Sequence, residues 1–162
     1  MRKPYRLSLI TGALALLTAS LPAAAQAPAA ATISLQSDAD LAFGSIAPGP
    51  SGGSVTVTPL GSRTSTGVVL LGGSFGVASF TVSISGGNPH YTITLPNSVT
   101  LLGPSGATMT LDGFLSDPSG GGKVDPPQRT GKIAVGGTLR VAANQPSGTY
   151  AAPFLVTVNL GD

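Results

Sequence analysis

The chain has no cysteine, no tryptophan and a single histidine, His90. Without cysteine there is neither a disulfide framework nor a lipid-anchored N-terminus, so an exported form must be held by packing alone. Charged residues make up 9% of the 162 residues, about a third of ordinary usage, which excludes a coiled coil and a polyelectrolyte tail. Aromatics are 5%, fewer than a dedicated sugar-binding module usually shows. A sustained 3.6-residue apolar repeat is also missing beyond residue 25. What is abundant is glycine (23) and proline (14), with no collagen period. These features describe one weakly charged, turn-rich, all-β domain.

Residues 1–25 read as an export signal expected to form a helix. Arg2, Lys3 and Arg6 supply the basic front, residues 7–21 the apolar stretch, and Ala23-Ala24-Ala25 the small-residue cleavage site. Cleavage is expected between Ala25 and Gln26, because a cut after Ala27 would set Pro28 beside the scissile bond. The apolar stretch is short for a span, and no stable membrane span is expected after cleavage. The domain then covers residues 26–162. Removing three of the 8 basic residues leaves 5 against 6 acidic ones, a net charge of −1. Arg63, Lys123, Arg129, Lys132 and Arg140 form no dense run, so nucleic-acid binding is excluded.

The dominant signal beyond residue 25 is alternation with a period of two, the mark of strands with one face toward a core. Ile33 and Leu35 run in phase with Ala39, Leu41 and Phe43, and Val55 alternates with Val57. Ala78, Phe80, Val82 and Ile84 follow, then Tyr91, Ile93 and Leu95, then Met109 and Leu111. Ile133 and Val135 continue in phase across Gly136-Gly137 into Leu139, Val141 and Ala143. Tyr150, Ala152, Phe154, Val156, Val158 and Leu160 form the last and strongest run. Val68-Val69-Leu70-Leu71 is continuously apolar and is expected to be buried on both faces or to cross under a loop. Pro-Ser-Gly at Pro50, Pro104, Pro118 and Pro146 punctuates the runs as turns. Residues 116–131 are expected to be the longest structureless loop. About nine or ten strands arranged this way predict an antiparallel two-sheet immunoglobulin-like sandwich.

Residues that could carry chemistry are few. Two G-x-S-x-G matches, starting at Gly49 and Gly72, are not followed by a helical pattern and read as turns. His90 follows Asn88-Pro89 and reads as a solvated turn residue. Asp38 and Asp40 supply too few oxygens for calcium. Phe75 and Phe114 are the aromatic residues expected near the surface. No catalytic residue, cofactor or metal is expected, and the chain is read as non-enzymatic.

Six segments, taken in order, resemble an exported bacterial family known as domain of unknown function 4402. They are Leu41-Ala42-Phe43-Gly44-Ser45-Ile46, the stretch from Pro59 to Gly67, Phe80-Thr81-Val82-Ser83, Tyr91-Thr92-Ile93-Thr94-Leu95-Pro96, Val135-Gly136-Gly137-Thr138-Leu139, and Gly148-Thr149-Tyr150 continuing to Val158. The likeness covers roughly residues 30–160, and Leu160 stands where members often carry an aromatic residue. The resemblance implies a β-sandwich akin to pilus subunits and spore-coat-U-type proteins, with a role in surface structure.

The expected function is that of an exported structural subunit, in the periplasm, at the cell surface or outside the cell. Its expected partners are copies of itself or related subunits, with a periplasmic chaperone. Assembly would use strand-edge pairing, in which an extended segment adds to an open sheet edge. Ala29, Ala31, Ile33 and Leu35 form a candidate donor segment, or else the domain's own first strand. Burying Ile33 and Leu35 would contribute roughly 3–6 kcal/mol. Tyr150, Phe154, Val156, Val158 and Leu160 form a candidate edge strand. The alternative is a monomeric secreted binding domain whose loop 116–131 contacts a glycan or protein.

Overall fold

The computed structural model describes residues 30–161; the expected export signal, the expected Ala25–Gln26 cleavage site and Ala29 lie outside the described residues. Twelve strands occur among them, and every pairing is antiparallel. They are β1 (Thr32–Ala39), β2 (Ala42–Pro48), β3 (Gly53–Val57), β4 (Arg63–Thr66), β5 (Val68–Gly76), β6 (Ala78–Ser85), β7 (His90–Thr94), β8 (Ser98–Leu102), β9 (Thr108–Asp117), β10 (Gly121–Lys123), β11 (Thr130–Val141) and β12 (Thr157–Leu160). No helix among the described residues is long and apolar enough to cross a membrane.

The all-β antiparallel expectation holds, while the count of sheets does not. Three sheets replace the expected two, with seven, three and two strands. The strands number twelve against the nine or ten expected, and β4 and β10 account for that difference. Neither Arg-Thr-Ser-Thr nor Gly-Gly-Lys carries an apolar alternation, and each is a strand because a neighbour supplies its backbone partners.

β11 is the spine of the large sheet. One of its edges pairs with β9, from Ala134↔Asp117 to Arg140↔Thr110. Its other edge is shared, with β6 beside Thr130 to Val135 and β3 beside Gly137 to Val141. β1 lies outside β6, β4 outside β3, and β8 outside β9. The change of partner falls at Gly136-Gly137, where the register against β9 also slips. A side chain at Gly136 would run into the carbonyl of Val57 and the backbone of Thr58 and Pro59, so only glycine lets β3 leave the sheet at this point.

Because β11 keeps its parity across the two glycines, it feeds two core clusters. Ile133 and Val135 join Ala78, Val82, Ile84, Tyr91, Val124 and Val156 in one. Leu139 and Val141 join Phe43, Val55, Val57, Leu101 and Leu111 in the other. The outward positions are mostly threonine and serine, which favour extended backbone and tolerate water.

Two further expectations are corrected. Residues 116–131 are not a structureless loop. β9 runs to Asp117, β10 pairs with β7, and Val124 is fully buried in the first cluster. Glycine-rich composition concealed this piece, because a strand of Gly-Gly-Lys has no side chains to alternate. Nor is Val68-Val69-Leu70-Leu71 buried on both faces. Val68 and Leu70 pack inward, while Val69 and Leu71 are exposed, since β5 belongs to a two-stranded sheet covered on one side only.

One polar cluster ties the edge strand to its neighbours. Thr81 Oγ1 donates to the Asp38 carboxylate at 2.7 Å, and Lys132 Nζ does so at 3.0 Å, linking β1, β6 and β11. The Thr81 hydrogen bond first, and Lys132 second, hold the Asp38 carboxyl below its ordinary 3.8. A depressed carboxylate contributes stability that is complete above the unfolded value and is lost as pH falls through the folded one. Asp38→Asn is therefore expected to remove a small part of the acid destabilisation measured between neutral pH and pH values below 3.8. Melting curves at both ends of that range check it. The effect stays small because the pair is solvent-screened.

Candidate functional site

The closing segment departs from its sequence pattern in an instructive way. From Tyr150 to Leu160 the even positions face inward and the odd ones outward, as the alternation predicts. Yet only Thr157–Leu160 pairs as a strand, with β7. Before it, Ala151 makes one isolated bridge to Leu102. Between Ala151 and Thr157 the extended backbone pairs with no other strand among the described residues. Of the candidate edge residues, Val158 and Leu160 therefore lie in β12, Phe154 and Val156 lie on this unpaired stretch, and Tyr150 directly precedes the Ala151 bridge.

The stretch is nonetheless held in place. The Phe154 ring stacks at 5.3 Å on Phe114 and meets Phe80 edge-on at 6.4 Å. Such aromatic pairs contribute about 0.5–1.5 kcal/mol each beyond their burial. At the other end, the Tyr150 hydroxyl donates to the Pro146 carbonyl at 2.7 Å. Gln145 Nε2 donates to that hydroxyl at 2.9 Å and to the Thr108 carbonyl at 3.1 Å. Gly103 gives the tyrosine ring its seat, since any side chain there would occupy the space of the ring.

β2 faces this stretch across a gap. Among the described residues its one strand partner is β5, so no described strand lies along its second edge. Arg63 fastens β2 from behind, donating from Nη1 to the Phe43 carbonyl at 2.9 Å with its guanidinium over the Phe75 ring at 4.4 Å. Gly44 sits at a bulge with φ of 72°, a left-handed conformation that suits glycine, and a side chain there would meet Arg63 and the Gly72 carbonyl.

Between the two walls lies a groove of about 1070 Å³. β2 forms one side, residues 145–154 the other, and Leu101, Leu111, Leu139 and Val141 of the second core cluster the floor. Asp40 is its one charged lining residue. The floor side chains are only 4–8% exposed, so the floor is closely packed. An extended chain laid along it would find backbone groups on both sides and an apolar surface beneath.

The other candidate residues fall elsewhere. Ile33 and Leu35 lie on β1 opposite Ile84 and Val82 of the same chain, half-buried against the first cluster. His90 is exposed and opens β7, paired with Lys123. The G-x-S-x-G match at Gly49 falls between β2 and β3, and the one at Gly72 lies inside β5. Of the two aromatics expected near the surface, Phe75 is exposed, while Phe114 is turned inward against Phe154. No group of three or more metal-ligating side chains converges among the described residues. The groove itself escaped sequence reading because residues 39–48 and 145–154 come from opposite ends of the chain. The signal that existed was the long in-phase run after Tyr150, stronger than a four-residue strand needs.

A family model described as Domain of unknown function (DUF4402) matches residues 33–160. The chain belongs to this family. No curated protein and no solved structure matches it. The DUF4402 match begins within β1 and ends with β12, so both walls of the groove and its floor belong to the DUF4402 domain.

Proposed function

We propose that the chain is an exported structural subunit, pilin-like or coat-like, that assembles by accepting an extended segment of a neighbouring subunit into the groove. The observation that carries this reading is the pair of unpaired backbone edges, β2 and residues 152–156, facing each other over an apolar floor. An edge of this kind is a template for strand addition, in which main-chain hydrogen bonds give affinity and alternate pockets give specificity.

An immunoglobulin-like ancestry of the sandwich is supported by Tyr150. A tyrosine near the start of the penultimate strand of that fold returns its hydroxyl to the backbone a few residues upstream, and Tyr150 does so to Pro146. Export rests on the signal segment, and location at the surface or in the periplasm follows from that reading.

The test is the association state of the mature chain, residues 26–162, by light scattering after size exclusion over a range of concentrations. Assembly is expected, and Ala152→Arg, which places a charged side chain on the groove wall, is expected to weaken it by at least about tenfold. Because Ala152 also packs against the second cluster, a melting curve of the variant checks that the fold survives before loss of assembly is read. A parent chain that stays monomeric throughout, or a variant that assembles equally well, would sink the reading.

A further inference from the structure

We infer that the turn between β3 and β4, together with the neighbouring end of β5, is a second binding site, one that rests on a lipid surface carrying anionic headgroups. Leu60 is the first observation. At 82% exposed it is the most exposed of the large apolar side chains described. The turn that carries it is closely tied. Gly61 N–H donates to the Thr58 carbonyl and Thr58 N–H to the Ser62 carbonyl, both at 2.9 Å, and Ser62 N–H donates to the Thr58 hydroxyl at 3.2 Å. Pro59 suits the entry of such a turn, and Gly61, with φ of 81°, suits its exit. Nothing in this geometry asks for leucine at the tip, where a polar residue would close the turn equally well without exposing apolar surface.

Leu60 does not stand alone. Three residues on, Arg63 holds its guanidinium 4.4 Å from the centre of the Phe75 ring, which brings the turn beside that end of β5. Phe75 is 44% exposed, and Leu71, next to the bulge at Gly72, is exposed on the same strand. Charge decides what this patch can meet. Between Asp40 and Asp112 the chain has no Asp or Glu, and Arg63 is its only Lys or Arg. Lys123, Lys132 and Arg140 each have a carboxylate partner, whereas Arg63 has none among the described residues. Its one hydrogen bond there goes to the Phe43 carbonyl, which leaves further N–H groups for a phosphate oxygen. A cation without a counter-ion, set among protruding leucine and phenylalanine side chains, complements a phospholipid surface. The headgroup phosphate takes the guanidinium, and the apolar tips reach the acyl boundary. A fluid bilayer accommodates separate projections, where a protein partner would need a pocket for each. Leu60, Arg63 and Phe75 line no part of the groove, so this contact leaves the groove free.

The experiment is cosedimentation of the mature chain, residues 26–162, with vesicles of phosphatidylcholine alone and of phosphatidylcholine mixed equally with phosphatidylglycerol. Binding to the mixed vesicles is expected, and binding to the neutral ones should be about fivefold weaker, the share one cation supplies near an anionic surface. Leu60→Ser combined with Phe75→Ser should weaken binding to the mixed vesicles by at least about tenfold. Leu60→Ser alone, at an exposed tip, should weaken it by at least about threefold and carries the test if the double variant melts early. Leu115→Ser removes an exposed leucine from β9 and should change nothing. Soluble glycerol phosphate should not release the chain, since a headgroup without acyl chains occupies only the cation. Failure to bind either vesicle, full binding by the leucine and phenylalanine variants, an equal loss with Leu115→Ser, or release by glycerol phosphate would each overturn the inference. A fall in self-association with Leu60→Ser would overturn it too, by making the patch a contact between subunits. The groove reading stands or falls separately, on Ala152→Arg.

Discussion

Replacing Ile133 with alanine is expected to lower stability by about 2–5 kcal/mol, among the largest losses a single truncation in this domain should cause. Ile133 has no exposed surface, and it stands mid-strand in β11 among Val82, Val124 and Val135 of the first cluster. Removing its branched end leaves a cavity that β6 and β9 cannot close, because both are pinned to the same strand. Urea titration measures the loss directly. For a domain of this size it should also appear as a fall in melting temperature of about 2–4 °C per kcal/mol. Thr100→Ser, on β8, serves as the comparison and should stay within about 0.5 kcal/mol. A loss at Ile133 no larger than that of the comparison would mean the centre of the sheet is placed wrongly.

Gly136→Val should match or exceed that loss by the opposite route. The added side chain would meet the Thr58 carbonyl carbon and the Pro59 nitrogen, each 2.8 Å from the position of its first carbon, as well as the Val57 carbonyl oxygen. All three are backbone atoms, so no rotamer change relieves the clash. Overpacking ordinarily costs about 1–3 kcal/mol, and resistance from main chain puts this case at or above the upper figure. Gly76→Ala separates this collision from a general effect of glycine replacement. Gly76 has nothing within 4 Å of where the methyl would go, so the change should be neutral or stabilise by up to about 1 kcal/mol through the unfolded chain. The two melting curves should diverge widely; similar curves would remove the steric account of the β3 exit.

Much of this architecture was legible in the sequence because burial follows a two-residue rhythm wherever one face is dry. The runs at Ala78–Val82–Ile84, Ile133–Val135 and Leu139–Val141 name most of the two clusters. Gly136-Gly137 was readable as a turn or bulge, and the Pro-Ser-Gly turns fall between strands. What alternation does not encode is partnership. The run from Ile33 to Phe43 keeps its phase but breaks at Asp40-Leu41 into two strands belonging to different sheets. Val68 to Leu71 carries enough apolar surface for a fully covered strand, yet nothing lies over Val69 and Leu71. The groove was illegible for the same reason. It depends on two segments meeting without pairing, and unmade hydrogen bonds leave no trace in composition.

The position of β11 in the chain also dictates an order of events as the chain is made. Residues 130–141 supply the partner for β3, β6 and β9, yet they are synthesised after all three. Until then each of those strands has an edge waiting for a partner more than forty residues behind its own end in the case of β6, or more than seventy in the case of β3. The domain therefore cannot acquire its main sheet piecemeal as it emerges. It passes through a stage of open, sticky edges that lasts until the spine arrives, the stage at which a β-protein is most exposed to misassociation.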